Sequence, residues 1–342
     1  MQFLKELKRV QSNPLLTESD INWDFKRKRS IMFPSVIDMS DILENPIDQF
    51  YMYLASHGGR EIGLATAPDP EGPWTMSADP VLHLDRCPAI EGHLSSPEVV
   101  HHEGRIFLYF HGNCPDSVLE DQNRKVKTHY YRRIQNTGVA LSKDGLNFEV
   151  HQENLIFPIQ NADHWGILAN QYLRVIVTRD GFHGFYMTMT RDQADHNARN
   201  RELPKEAKLP HQTCIGHAWS ADGLTWERDS SGPLLLPDEE HGEHSRIRHC
   251  GVAAVDEFTA LIVYTSWTSK ENSNEAIFAA SVNLDGKSAS VGARYGEILP
   301  PEEEWERPEL RDPFPLFYKD RFYLYYDGAK EKSIGLAIAD TA

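Results

Sequence analysis

Asp312 is the residue of this chain best placed for chemistry, because it stands between Arg311 and Pro313 at the start of an aromatic-rich segment. A carboxyl group there can give or take a proton, and the neighbouring Arg311 would favour its ionised form, the form that acts as a base. Glu98, one residue past Pro97, offers a second carboxylate, and His93, His111, His164 and His249 titrate close enough to neutrality to act as acid or base beside either. Asp312, Glu98, His249 and His111 are therefore the catalytic candidates. His93, Ser96, His164, Arg246, Arg248, Glu309, Arg311 and Asp327 are the substrate-binding ones, as hydrogen-bonding or charge-bearing partners of a ligand. Each has a plainer role open to it. Glu98 can pair with Arg248 or Arg311, Asp312 can accept from backbone, and a lone histidine is more often a packed partner than a ligand. Together they are harder to dismiss, since burying so many titratable groups is costly unless they serve something bound.

The elements that must hold these residues repeat five times. A third strand reads Ile62-Gly63-Leu64-Ala65, Thr137-Gly138-Val139-Ala140, Ile215-Gly216-His217-Ala218, Ile277-Phe278-Ala279-Ala280 and Ile334-Gly335-Leu336-Ala337. An alternating aromatic run precedes each copy, the pattern of a half-buried strand. A short outer strand follows four of them, Pro80-Val81-Leu82, Leu155-Ile156-Phe157-Pro158, Pro233-Leu234-Leu235-Leu236-Pro237 and Glu297-Ile298-Leu299-Pro300, and a fifth copy, Asn13-Pro14-Leu15-Leu16, opens the chain instead. Ordered repetition of this kind specifies an all-β five-bladed β-propeller, one domain over residues 1–342 with blades near 31–84, 93–160, 164–238, 246–300 and 305–342. Residues 1–30 are expected to close the ring by completing the last blade, which leaves no open sheet edge. First strands of a propeller line its channel. Their starts, with the ends of the second strands, put the candidate residues at one mouth, and the insertions at 112–135 and 191–213 are expected on that face as binding loops or as a contact between protomers of a homo-oligomer.

Composition narrows the partners. A net charge of −16 disfavours nucleic acid and anionic membrane, and no segment approaches the ~20 apolar residues of a membrane span. Residues 1–10 read as a short amphipathic helix rather than a secretory signal, and four cysteines without close spacing suit reduced thiols, so a cytoplasmic location is expected. The basic stretch at 124–133 reads as a solvated loop or as a rim that attracts an anionic ligand.

Phe33-Pro34-Ser35-Val36-Ile37, Ser96-Pro97-Glu98-Val99, the Asp144-Gly145 and Asp222-Gly223 turns and Leu310-Arg311-Asp312-Pro313 resemble the five-bladed propeller glycoside hydrolases, including families 43, 32, 117 and the family 130 phosphorylases. The resemblance implies carboxylates on different first strands acting on a sugar in the funnel, and it adds a calcium ion near the axis as an option, with no cofactor required. Phe33 stands where family 43 members carry the base, and the third blade has no Asp-Pro. The function expected is hydrolysis of a small glycoside or oligosaccharide end by acid/base catalysis. The alternatives are a non-catalytic sugar-binding propeller, or a hydrolase or lyase of an anionic metabolite clamped by Arg246, Arg248 and Arg311.

Overall fold

Each repeat folds because its second strand carries aromatics on one side and its third strand carries a residue small enough to lie beneath them. In the computed structural model, which describes residues 1–21, 30–115, 135–151, 156–157, 166, 170–204, 207–208, 211–269, 274–328 and 330–341, Phe110 pairs with Gly138, Tyr186 with Gly216 and Tyr326 with Gly335 across the ladder. A Cβ on Gly216 would come within 2.7 Å of the Tyr186 ring, and one on Gly335 within 2.5 Å of Trp305. The glycine of the repeated phrase is thus a seat for an aromatic ring. Five antiparallel sheets result, each running from an inner strand to a second, a third and an outer one that is short except in blade 4, where it spans Ser288–Leu299, and α-helix is confined among the described residues to Arg191–Glu202. The inner strands of blades 1 to 5 are Met32–Asp38, Glu91–His102, Gln171–Thr178, His244–Ala254 and Arg311–Tyr318.

Tyrosines latch one blade to the next. The Tyr53 hydroxyl donates to the Gly145 carbonyl at 2.8 Å, Tyr109 to Gly223 at 3.0 Å and Tyr325 to Pro70 at 2.7 Å, so blades 1, 2 and 5 each hold the turn of their successor. The last of these bonds ties blade 5 back to blade 1.

The termini meet where the repeat predicts. Leu82 pairs with Ile62, Leu235 with Ile215 and Leu299 with Ile277, and Leu16 takes the same position opposite Ile334. Asn13 acts as a further strand residue through its side chain: its amide donates to the Leu336 carbonyl and accepts from the Leu336 N–H, both at 2.9 Å. Instead of the expected amphipathic helix, residues 2–6 form a single 3₁₀ turn and Lys8–Arg9 forms a strand against Ile338 and Ala337. Arg9 also completes a motif. In blade 4 the Tyr264 hydroxyl and Arg294, from the outer strand, share the buried Glu243; in blade 5 Tyr326 and Arg9 share the buried Glu306. The N-terminal strand therefore supplies the arginine that an outer strand supplies elsewhere.

Because Glu306 has no solvent exposure of its own, removing Arg9 strands a buried charge. Arg9→Ala should lower unfolding free energy by about 3 kcal/mol or more, whereas Glu302→Ala, which removes only the exposed partner of Arg9, should cost under ~1 kcal/mol. Denaturant titrations of the two variants compare them directly.

Candidate active site

All five inner strands bulge at one level. Ladder register slips between Met32 and Ser35, Ser95 and Glu98, Gln171 and Arg174, Arg248 and Gly251, and Arg311 and Phe314. The first residue inside each bulge has positive φ: Phe33 at 62°, Ser96 at 47°, Tyr172 at 55°, His249 at 49° and Asp312 at 47°. These five side chains form a ring at the funnel floor, one per blade. Tyr172 packs edge to face on His249, with centroids 4.6 Å apart, and lies tilted against Phe33 at 5.5 Å and against the neighbouring His111 at 4.9 Å.

Asp312 is wholly buried, with His249 Nδ1 3.2 Å from its Oδ1 and the Asp327 carboxyl beside it. Among the described residues no hydrogen bond of good geometry engages either oxygen of Asp312 or Asp327, or either nitrogen of His249. Burial raises the Asp312 pKa to about 7, and burial followed by the Asp312 charge pushes Asp327 up further, so the pair holds a proton into the neutral range. Burial, with Arg248 next, drives His249 far down and leaves its imidazole neutral. The expectation that Arg311 keeps Asp312 ionised is not met: Arg311 spends its guanidinium on Glu275, Glu309 and Glu331. A protonated Asp312 is an acid.

On the other side of Phe33, the Ser96 hydroxyl meets His111 Nδ1 in a short hydrogen bond, and the His93 ring lies 5.2 Å from His111. Glu98 belongs to a deeper layer. Arg174 Nη1 donates to its Oε2 at 2.7 Å, Ser35 donates to the same oxygen at 3.1 Å and the Val175 N–H to Oε1 at 3.1 Å. Its partner is Arg174, neither Arg248 nor Arg311. Arg174 also bonds the Pro97 and Cys250 carbonyls, bolting blade 3 to blades 2 and 4.

Above the ring, Arg246, Arg248 and Arg311 converge on buried Glu275 from the third strand of blade 4. Their charges hold Glu275 ionised, far below the usual carboxylate range, against burial as the largest opposing influence. Arg246 stacks on Trp267, its Cζ 4.8 Å from the ring centroid. His211, beyond the helix of the blade 3 insertion, feels Arg201, Arg246 and Arg248, so that insertion borders the arginine wall. His164 and the basic stretch 124–133 lie outside the described residues. Sequence reasoning missed Tyr172, Arg174 and Glu275. The blade 3 strand lacks the proline that marks the bulge in blades 1, 2 and 5, and Glu275 sits on a third strand that carried no polar pattern of its own.

Among the described residues no cluster of three or more histidines, cysteines or acidic groups has metal-binding geometry, no helix is long and apolar enough to cross a membrane, and Cys87, Cys114, Cys214 and Cys250 are free and buried.

No known protein-family profile matches the chain. An uncharacterized protein of Acanthamoeba polyphaga mimivirus is 24% identical over 358 positions, spanning 95% of this chain and 88% of that protein. Among solved structures, a beta-1,2-mannobiose phosphorylase from Listeria innocua gives a TM-score of 0.64 at 13% identity, with 98% of this chain and 97% of that one covered. A thermostable family-43 glycoside hydrolase gives 0.62 at 12%, with 90% and 88% covered. An N-acetylgalactosamine deacetylase from F. plautii gives 0.61 at 11%, with 98% and 95% covered. This chain has the five-bladed propeller fold that these carbohydrate-directed proteins share.

The layered geometry separates carboxylates paired with arginine from those that are not. Arg174→Met would leave Glu98 charged and unpaired in the channel, and should cost about 3–5 kcal/mol of stability in urea or guanidinium titration. Asp312→Asn replaces a protonated carboxyl by a neutral isostere and should melt within a few degrees of the parent.

Proposed function

We propose that this protein is a carbohydrate-active enzyme that cleaves the glycosidic bond of a small neutral glycoside in the funnel, with Asp312 as general acid. The observation that carries the reading is the buried Asp312 and Asp327 pair: two carboxyls at the floor of a polar funnel, protonated in the neutral range and without hydrogen-bond partners of good geometry. A group poised in this way can protonate a departing sugar oxygen, and neutral His249 at 3.2 Å can relay a proton back to it, taking one on Nε2 as it releases one from Nδ1. Tyr172, partly exposed and backed by Phe33, offers flat apolar surface for the C–H face of a sugar ring. The arginine wall favours a neutral ligand over an anion, because three guanidiniums already face three carboxylates, Glu275, Glu309 and Glu331. Fold neighbours crystallised with beta-1,2-mannobiose and with a blood group B trisaccharide support a saccharide in this funnel.

The nucleophile is less constrained. Inverting hydrolysis uses two carboxyl groups roughly 6.5–9.5 Å apart, and retaining hydrolysis two about 5–5.5 Å apart. Among the ring positions only Asp312 is a carboxylate, Asp327 abuts it, and Glu98 is fully engaged below. That shortage supports a second reading, transfer of the glycosyl group to phosphate, which attacks without a carboxylate base. Incubation with aryl glycosides and a panel of oligosaccharides, with and without phosphate, and mass spectrometry of the products distinguishes the two. Absence of turnover on every substrate, with saccharide binding retained, would point to a binding propeller instead.

Turnover should be constant in mild acid and fall about tenfold per pH unit above the Asp312 range near 7, because the acid works only when protonated. Asp312→Asn should cut kcat by a hundredfold or more. Asp327, kept protonated by burial, lowers the Asp312 pKa as a hydrogen-bond donor, and Asp327→Ala removes that donor. The falling limb should then move to higher pH, and an unmoved limb would separate Asp327 from the acid.

A further inference from the structure

Ser96 is the one hydroxyl of the floor ring already joined to a base. The bulge between Ser95 and Glu98 gives it φ 47°, and the register that sets Ser95 opposite His111 brings the Ser96 hydroxyl onto His111 Nδ1. In the tautomer whose proton lies on Nε2, Nδ1 accepts this bond from the Ser96 hydroxyl. The ring is fixed on both sides, by His93 at 5.2 Å and Tyr172 at 4.9 Å. The next residue must be Gly112, since a Cβ there would come within 2.3 Å of the His93 carbonyl and 2.2 Å of Ile90. Burial and the charges of His93, His57 and Arg174 hold His111 neutral, the state in which it can take a proton. Beside this pair, Met32, Phe33 and Ala55 pack together as a small apolar cluster, and Ser95 Oγ donates to the Ser56 carbonyl at 3.3 Å, which ties blade 1 to the Ser96 strand.

We propose that Ser96 and His111 are the nucleophile and general base of a second activity, removal of a short acyl group from an O-acylated sugar. The Ser96 oxygen attacks the ester carbonyl carbon while its proton passes to His111 Nδ1. The carbon–oxygen bond to the sugar breaks, and the departing sugar oxygen takes that proton. Water then attacks the acyl-serine, its proton passes through His111, and the carboxylic acid leaves as Ser96 regains its hydrogen. Apolar Met32, Phe33 and Ala55 near Ser96 suit a short aliphatic acyl group rather than a charged one. The sugar half of this substrate rests on the function proposed above, and the acyl half rests on Ser96 and His111 alone.

The test treats the full-length protein with a fluorophosphonate probe and, separately, with p-nitrophenyl acetate and mono-O-acetylated methyl glycosides. We expect one probe adduct, mapped by peptide mass spectrometry to Ser96, and acetate release that falls at least a hundredfold in both Ser96→Ala and His111→Gln, with circular dichroism and melting curves confirming that both fold. Labelling of the parent protein depends on no variant. Absence of the Ser96 adduct together with absence of acetate release overturns the proposal; so does release that persists in Ser96→Ala, or labelling without release. Cleavage of unacetylated glycosides is read in parallel and concerns a different bond, so its failure would count against the glycosidase reading while leaving the ester measurement to stand or fall by itself.

Discussion

Everything at the funnel floor depends on five non-glycine residues held at positive φ, between 47° and 62°. For an L-residue that conformation costs about 1 kcal/mol or more, so the ring as a whole carries a strain comparable to the net stability of many domains. It persists because the surroundings over-determine it. Pro34, Pro97 and Pro313 fall inside the register gaps, where the missing N–H forfeits no ladder bond. Below the ring, Arg174 reaches the carbonyls of Pro97 and Cys250 while its guanidinium lies over Phe314, and Gly251 leaves room for the Pro313 carbonyl, 2.1 Å from where a Cβ would stand. The channel is plugged by this layer, and the plug fixes the direction in which Phe33, Ser96, Tyr172, His249 and Asp312 point.

Two carboxylates in this funnel are equally buried and behave oppositely. Glu275 and Asp312 both have no exposed surface, yet Glu275 is ionised and Asp312 retains a proton. Desolvation is the first influence on each. The difference lies in what answers it: three guanidiniums donate to Glu275, whereas the oxygens of Asp312 meet neutral His249 and the protonated Asp327 carboxyl. Arg311, one strand position from Asp312, thus leaves it protonated, because its fork is aimed at the wall. Proximity in sequence, Arg311 next to Asp312, says little about which charge a carboxyl feels.

That contrast marks how far the sequence could be read. The propeller was legible from five copies of a strand phrase whose glycine has a physical duty under an aromatic ring, and the closure was legible from a displaced outer strand, Asn13-Pro14-Leu15-Leu16. Inner strands with a proline inside the bulge were legible too, which is why Ser96 and Asp312 were found. Tyr172 was not, since Gln171-Tyr172-Leu173 has neither proline nor charge to mark the bend. Ion-pair partners were the least legible. Glu98 could have met any of several arginines, and only the stacking of layers around the axis selects Arg174. The closure arginine, Arg9, escaped for a related reason: its equivalence to Arg294 exists only in space, around Glu306 and Glu243.

Phe33 sets the character of a whole arc of the floor. Phe33 is packed among Met32, Ala55 and Tyr172, and its ring stands 6.4 Å from His249. A carboxylate placed at position 33 would find no donor among these neighbours and would be buried unpaired, at a cost that forces it to take up a proton. The apolar surroundings therefore exclude a base from that arc of the floor as firmly as the side chain itself does. What remains is an asymmetric ring: an aromatic arc in blades 1 and 3, an acid with its imidazole in blades 5 and 4, and a hydroxyl with its own imidazole in blade 2. A pseudo-fivefold frame with five different occupants can orient a ligand in only one way around the axis, and it places the acid and the hydroxyl on opposite sides of Phe33.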